Sequence, residues 1–127
     1  MVRRKPKPVT KHTTAHMFRT LMWDKRNGCE VIMPNVFVDN WNECDALLVL
    51  TSGYTHEVEL KLSRSDFKAD FKKMNWWHKV PDDRSWAREG SMKHVEENKH
   101  VLLERGQGFP NRFSFLVPEG LIEPDEV

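Results

Sequence analysis

The chain has no apolar run long enough to span a bilayer. Its first twelve residues, Met1 to His12, are charged and lack the apolar stretch of a secretory leader. Both absences point to a protein that stays where it is made, in a cytoplasm and off the membrane. Only two cysteines occur in 127 residues, Cys29 and Cys44, and neither belongs to a CxxC. A disulfide framework is thereby excluded, and both thiols are expected to be reduced. His94 and His100 have no cysteine beside them and no ligand spacing, so a structural zinc is not expected either. There is no internal repeat and no low-complexity tract. A net charge of +1 leaves no global excess to announce a polyanionic partner.

What is present fits one globular unit. Apolar residues make up 39% and charged residues 31%, which supports one modest core in one domain. Charge is unevenly placed. Arg3, Arg4, Lys5, Lys7 and Lys11 form a basic arm over residues 1–12, and Glu119, Glu123, Asp125 and Glu126 leave the other end acidic. The arm suits phosphate contacts through counterion release, and it equally suits a solubilising tail.

Periodicity gives the elements. Thr13 or Thr14 caps a helix running to about Arg26, with Met17, Phe18, Leu21 and Met22 as its buried stripe. Cys29 to Asp39 reads as extended, with Pro34 a break or an edge feature. Asp45–Leu50 and Tyr54–Leu62 read as a hairpin joined by Thr51-Ser52-Gly53, where Gly53 takes the left-handed position. That loop sets Leu50 against Tyr54 and hence Asp45 against Glu59. Ala46, Leu48, Leu50, Tyr54, Val58, Leu60 and Leu62 then share one face, and Asp45, Glu57, Glu59 and Lys61 the other. Ser63 or Ser65 caps a helix with Phe67, Phe71 and Met74 as its stripe. Residues at about 75–91, with Trp76, Trp77 and Trp86, read as a long inserted loop. A helix is expected from about Met92 to Arg105, and a last strand over Arg112–Val117. A crossover helix between strands makes that last strand a parallel neighbour of Tyr54–Leu62, giving a mixed α/β sheet flanked by helices.

The hairpin carries chemistry. Carboxylates sharing one patch repel, and a hard divalent cation relieves them while keeping several of its waters. Asp45 and Glu59 face each other, and the Leu60 carbonyl is a natural third ligand. Lys61, two residues from Glu59, can position a metal-bound water or hold a phosphate. Two carboxylates, one ion and one lysine suffice for phosphodiester hydrolysis. An exposed sheet face with ordinary alternating charges reads the same way from spacing alone.

The run Glu57-Val58-Glu59-Leu60-Lys61-Leu62-Ser63-Arg64-Ser65-Asp66-Phe67 through Phe71 resembles the PD-(D/E)XK nuclease superfamily, in particular small phage and bacterial members including the MmcB-like DNA-repair branch. Lys99-His100 and Pro110-Asn111-Arg112-Phe113 through Ile122 resemble the downstream part of the same proteins. The resemblance implies a restriction-endonuclease-like αβββαβ core and a Mg²⁺-dependent nuclease, with Mn²⁺ able to substitute. DNA would be the substrate, and no small-molecule cofactor is expected. It assigns metal ligation to Asp45 and Glu59 and the catalytic lysine role to Lys61. Many relatives carry a further acid on the first helix. Here that helix offers only Asp24, with Glu30 just after it and Glu57 as another candidate for a second ion.

Nucleic-acid contacts are expected from Ser63, Arg64 and Lys68 at the helix start and from Arg3, Arg4 and Lys5 of the arm. Lys99, His100, Trp76 and Trp77 are further candidates. The functional expectation is a metal-dependent DNA endonuclease, selective for a DNA structure, with a homodimer as the form that supplies two sites for two strand cuts. The competing expectations are a non-catalytic nucleic-acid-binding module that kept the fold, and a phage factor that binds a host enzyme.

Overall fold

A computed structural model describes residues 13–126, without the side chains of residues 76–78. The element order is α1 (Thr14–Lys25), β1 (Cys29–Phe37), β2 (Glu43–Leu50), β3 (Thr55–Leu60), α2 (Arg64–Asp70), β4 (Met74–Pro81), β5 (Met92–Asn98), α3 (Lys99–Glu104) and β6 (Arg112–Leu116), closed by a 3₁₀ turn (Pro124–Glu126). Strands β1-β2-β3-β6 form one sheet in that order. β1, β2 and β3 pair antiparallel, and β6 joins β3 parallel. The protein is therefore α/β with a mixed sheet.

The hairpin register is the one the turn chemistry predicts. Ala46 pairs with Val58, Leu47 with Glu57, Leu48 with His56 and Val49 with Thr55. Leu50 N–H reaches Tyr54 C=O at 2.8 Å, Gly53 N–H returns to Leu50 C=O at 2.8 Å, and Gly53 has φ +87°. A side chain at Gly53 would be strained in that region. The alternation then separates two cores. Ala46, Leu48, Val58 and Leu60 pack against Met17 and Leu21 of α1. On the other face Leu47 joins Trp41 and Leu102 of α3. Truncating a side chain as enclosed as Leu48 to alanine costs about 2–5 kcal/mol, because the cavity closes only in part.

Pro34 lies on β1, an edge strand, where its missing N–H interrupts no inner ladder. Thr13 caps α1, its hydroxyl accepting His16 N–H at 3.1 Å. Ser63 caps α2 in the same way, accepting Asp66 N–H at 3.2 Å.

Three sequence expectations are corrected. Met22 is not in the α1 stripe but exposed, since only Met17 and Leu21 are buried and Phe18 packs beside them. The α2 stripe stops early. Phe67 is buried, Phe71 is part-exposed, and Met74 has already entered β4. Finally, the expected loop and the first part of the expected helix form a two-stranded antiparallel ribbon, β4–β5. Only Lys99–Glu104 is helical, with Asn98 capping it through His100 and Val101 N–H. The ribbon leaves and rejoins the domain at one place. Met74 pairs with Asn98, Lys99 N–H reaches Lys73 C=O at 2.9 Å, and the Asn98 amide donates to Phe71 C=O at 2.7 Å.

Candidate active site

The β2–β3 ladder ends at Ala46–Val58, and Asp45 sits where it opens. Alternation along β2 breaks at the same place. Ala46 belongs to the α1 core, whereas Cys44, two residues earlier, packs on the opposite face with Trp41 and Leu102. Asn35 of β1, beside this point, has φ +51°. The Asp45 carboxylate accepts Leu60 N–H at 2.9 Å. It lies against the Glu59 carboxyl, and burial together with Glu59 pushes it up to about 6.

Glu59 is 1% exposed and is approached from three sides by ammonium groups. Lys99 Nζ lies 3.2 Å from one oxygen, and Lys73 and Lys61 lie 3.6 and 3.7 Å from the other. Burial works to raise it, but its hydrogen bond with the Glu57 carboxyl and the charges of Lys99 and Lys73 hold it below its ordinary value. Glu57 is fully enclosed. Its oxygens take the Trp41 indole N–H at 2.6 Å and the Lys99 ammonium. Burial and the shared hydrogen bond with Glu59 push Glu57 up to about 7.

Lys61 points at Asp70 of α2, with Nζ 2.8 Å from Oδ1. The other Asp70 oxygen takes His100 Nε2–H at 2.6 Å. Asp70 is buried, yet His100, Lys61 and Lys73 together keep it well below the usual carboxylate range. Burial disfavours the charged form of Lys61, but Asp70 outweighs this and raises it. A cavity of about 310 Å³ opens over this group, lined by Leu60, Lys61, Asp66, Ala69, Asp70, Lys72 and Lys73.

Asp45, Glu59 and Lys61 thus come together, with Asp45 just past the last paired residues of the ladder. Other expected participants do not join them. Glu30 is exposed between residues paired with Val49 and Leu50, roughly 17 Å along the sheet from Asp45. Asp24 is exposed near the end of α1. Glu57 is no solvated strand acid, since both of its oxygens are engaged inside the protein. Lys99 and His100 are no surface pair, since Lys99 is fully enclosed. Arg64 is gripped by the C-terminal segment, donating to Glu126 at 2.6 and 2.8 Å and to Leu121 C=O at 3.2 Å. Lys68 is exposed on α2. Arg3, Arg4 and Lys5 lie outside the described residues, and Trp76 and Trp77 are described only as backbone of β4.

Sequence reasoning missed Asp70 and Lys73. A signal existed for Asp70, which follows Phe67 by three positions and so is an acid on the buried face of α2. Lys73 carried none.

Among the described residues no group of three or more His, Cys, Asp or Glu side chains stands ready to hold a metal ion. The donor set at the open end of the hairpin is smaller. It consists of two carboxylates in contact, one of them with a raised pKa, and it suits a hard cation that keeps most of its water. The chain matches no family model, no curated protein and no solved structure.

Proposed function

We propose that this protein is a Mg²⁺-dependent nuclease of the restriction-endonuclease-like kind that hydrolyses phosphodiester bonds in DNA. The observation that carries the proposal is the meeting of Asp45 and Glu59 at the open end of the β2–β3 ladder, with Lys61 held beside them. The order α-β-β-β-α, then a ribbon, then α-β, with β6 parallel to β3, supports the αβββαβ core implied by the sequence resemblance.

Asp45, Glu59 and the Leu60 carbonyl would hold the ion. When bound, it supplies an acidified water and screens charge building on the phosphate. The chain supplies the rest. Asp70 fixes Lys61 in its charged form, so this ammonium holds a phosphate oxygen as a point charge. Lys73, only partly buried beside Asp70, adds a second positive group at the mouth of the cavity. Lys99 stays behind Glu59 and limits repulsion between the two strand glutamates.

The test incubates plasmid, linear duplex and branched duplex with Mg²⁺, Mn²⁺ or EDTA. The wild type should cut with either metal and not in EDTA, and Glu59→Ala and Lys61→Ala should cut at least about 100-fold more slowly. Absence of cutting under every metal, or equal cutting by the variants, sinks the proposal.

One observation favours a second reading. Lys61, Lys73 and Lys99 already neutralise Glu57, Glu59 and Asp70 without an ion, which suits a non-catalytic DNA-binding module. That reading expects DNA binding in EDTA and no cutting with any metal.

A further inference from the structure

Away from the acid–lysine cluster, the end of the sheet that carries the β2–β3 turn bears two exposed aromatic side chains, each with a guanidinium over its ring. Trp23, in the last turn of α1, is 68% exposed. The Arg26 guanidinium lies 3.6 Å from its ring centroid and hydrogen-bonds its carbonyl oxygen. Tyr54, just after the turn, is 52% exposed, with the Arg112 guanidinium 5.8 Å from its ring. A hydrogen bond from Thr51 N–H to Gly28 C=O, 3.1 Å, ties the end of α1 to this turn. Lys25 and Arg112 both act electrostatically on His56, so they flank the same strand end.

Both residues are left more than half uncovered by the rest of the chain. Their neighbours say what would cover them. Lys25, Arg26 and Arg112 are set against two acids at this end, Asp24 and Glu30. Rings that stack, interleaved with cations, match nucleic acid whose bases are unpaired, because an unpaired base offers a π-face and its backbone a phosphate. A duplex offers phosphates but hides its base faces.

We infer that this end of the sheet is a binding surface for single-stranded nucleic acid. Trp23 and Tyr54 stack on bases, and Arg26, Lys25 and Arg112 meet the backbone. The surface lies roughly 17 Å along β3 from Glu59, so a strand bound here reaches toward the acid cluster within a few nucleotides. The inference shares the nucleic-acid partner of the proposed nuclease but not its chemistry.

The test measures fluorescence anisotropy of a fluorescein-labelled oligothymidylate of about 20 nucleotides, and of a duplex of equal length, in EDTA. The wild type should bind the single strand more tightly than the duplex. Trp23→Ala and Tyr54→Ala should each weaken single-strand binding at least about fivefold with unchanged circular dichroism and melting temperature. Trp86→Ala, which removes an exposed tryptophan that also has a guanidinium over its ring (Arg84, 4.1 Å) but lies between β4 and β5, away from this end of the sheet, should not. Arg112→Gln should flatten the salt dependence. Wild-type binding to neither probe, preference for the duplex, or full binding by both aromatic variants overturns the inference. Single-strand binding in EDTA without cutting in Mg²⁺ upholds this surface and sinks the nuclease. Cutting that is indifferent to Trp23 and Tyr54 does the opposite.

Discussion

Lys99, with its side chain wholly enclosed, donates from its ammonium to the enclosed carboxylate of Glu57. An ion pair out of water gains little over a well-packed apolar pair, but losing one partner strands the other charge. Lys99→Met should therefore lower the free energy of unfolding by about 3–5 kcal/mol. Adding Glu57→Gln to it should return a large part of that loss, since no unpaired charge then remains on that strand position. Urea denaturation of the three variants checks this, and equal stability of the single and double variants would contradict it.

Asp70 makes a different kind of contact, because it holds the group proposed to touch the phosphate. Asp70→Asn keeps the shape and removes the charge that fixes Lys61. Cleavage should fall about 10- to 100-fold in kcat with KM little changed. In the Lys61→Ala background the same change should cost almost nothing further, since the two act as one unit. A full additional loss in the double variant would show that Asp70 works independently.

The two raised carboxyls give a pH dependence of definite sign. Asp45 is pushed up to about 6, above an ordinary value near 4. The folded state therefore holds this proton more tightly than the unfolded chain. Its contribution to stability is complete below about pH 4 and is lost as pH rises through about 6. In EDTA, the melting temperature of Asp45→Asn relative to wild type should climb between about pH 4 and 7 and then level off. Added Mg²⁺ should raise the wild-type melting temperature above pH 6 and leave Asp45→Asn unmoved. A flat difference across that range would rule out the carboxyl contact as the cause.

Arg64 and Glu126 form a two-bond pair on the surface, half exposed on the arginine side. Such pairs add at most about 1 kcal/mol, so Glu126→Ala should barely change stability. It should, however, free Arg64, and duplex binding in EDTA should tighten several-fold. The gain should vanish in Arg64→Ala/Glu126→Ala. A gain that persists without Arg64 would trace the effect to general loss of negative charge instead.

Local chemistry wrote the hairpin into the sequence. The three-residue turn with Gly53 and the period-two alternation of Ala46, Leu48, Val58 and Leu60 each specify the same register, which carries Asp45 and Glu59 to the same end of the hairpin, and the last contact is made past the paired residues, by Asp45 on the Leu60 N–H. The lysines around Glu59 were far less legible. Lys73 and Lys99 are distant in the chain, and their convergence depends on tertiary packing that no local spacing encodes. The ribbon was misread for a nearer reason. Pro81 and the polar stretch at residues 82–91 make β4 and the connection after it read as a loop, while β5 falls in the stretch that reads as a helix. Yet Lys93, Val95 and Glu97 are less exposed than Met92, His94 and Glu96, which is the alternation of a strand.

The pinched stem of that ribbon has an architectural consequence. Because Lys73 C=O and Lys99 N–H are joined across it, the two ends of the excursion act as gateposts, and each gatepost supplies one ammonium to Glu59. The far end of the excursion, residues 82–91, can lengthen or shorten without moving the lysines from the threshold of the carboxylates.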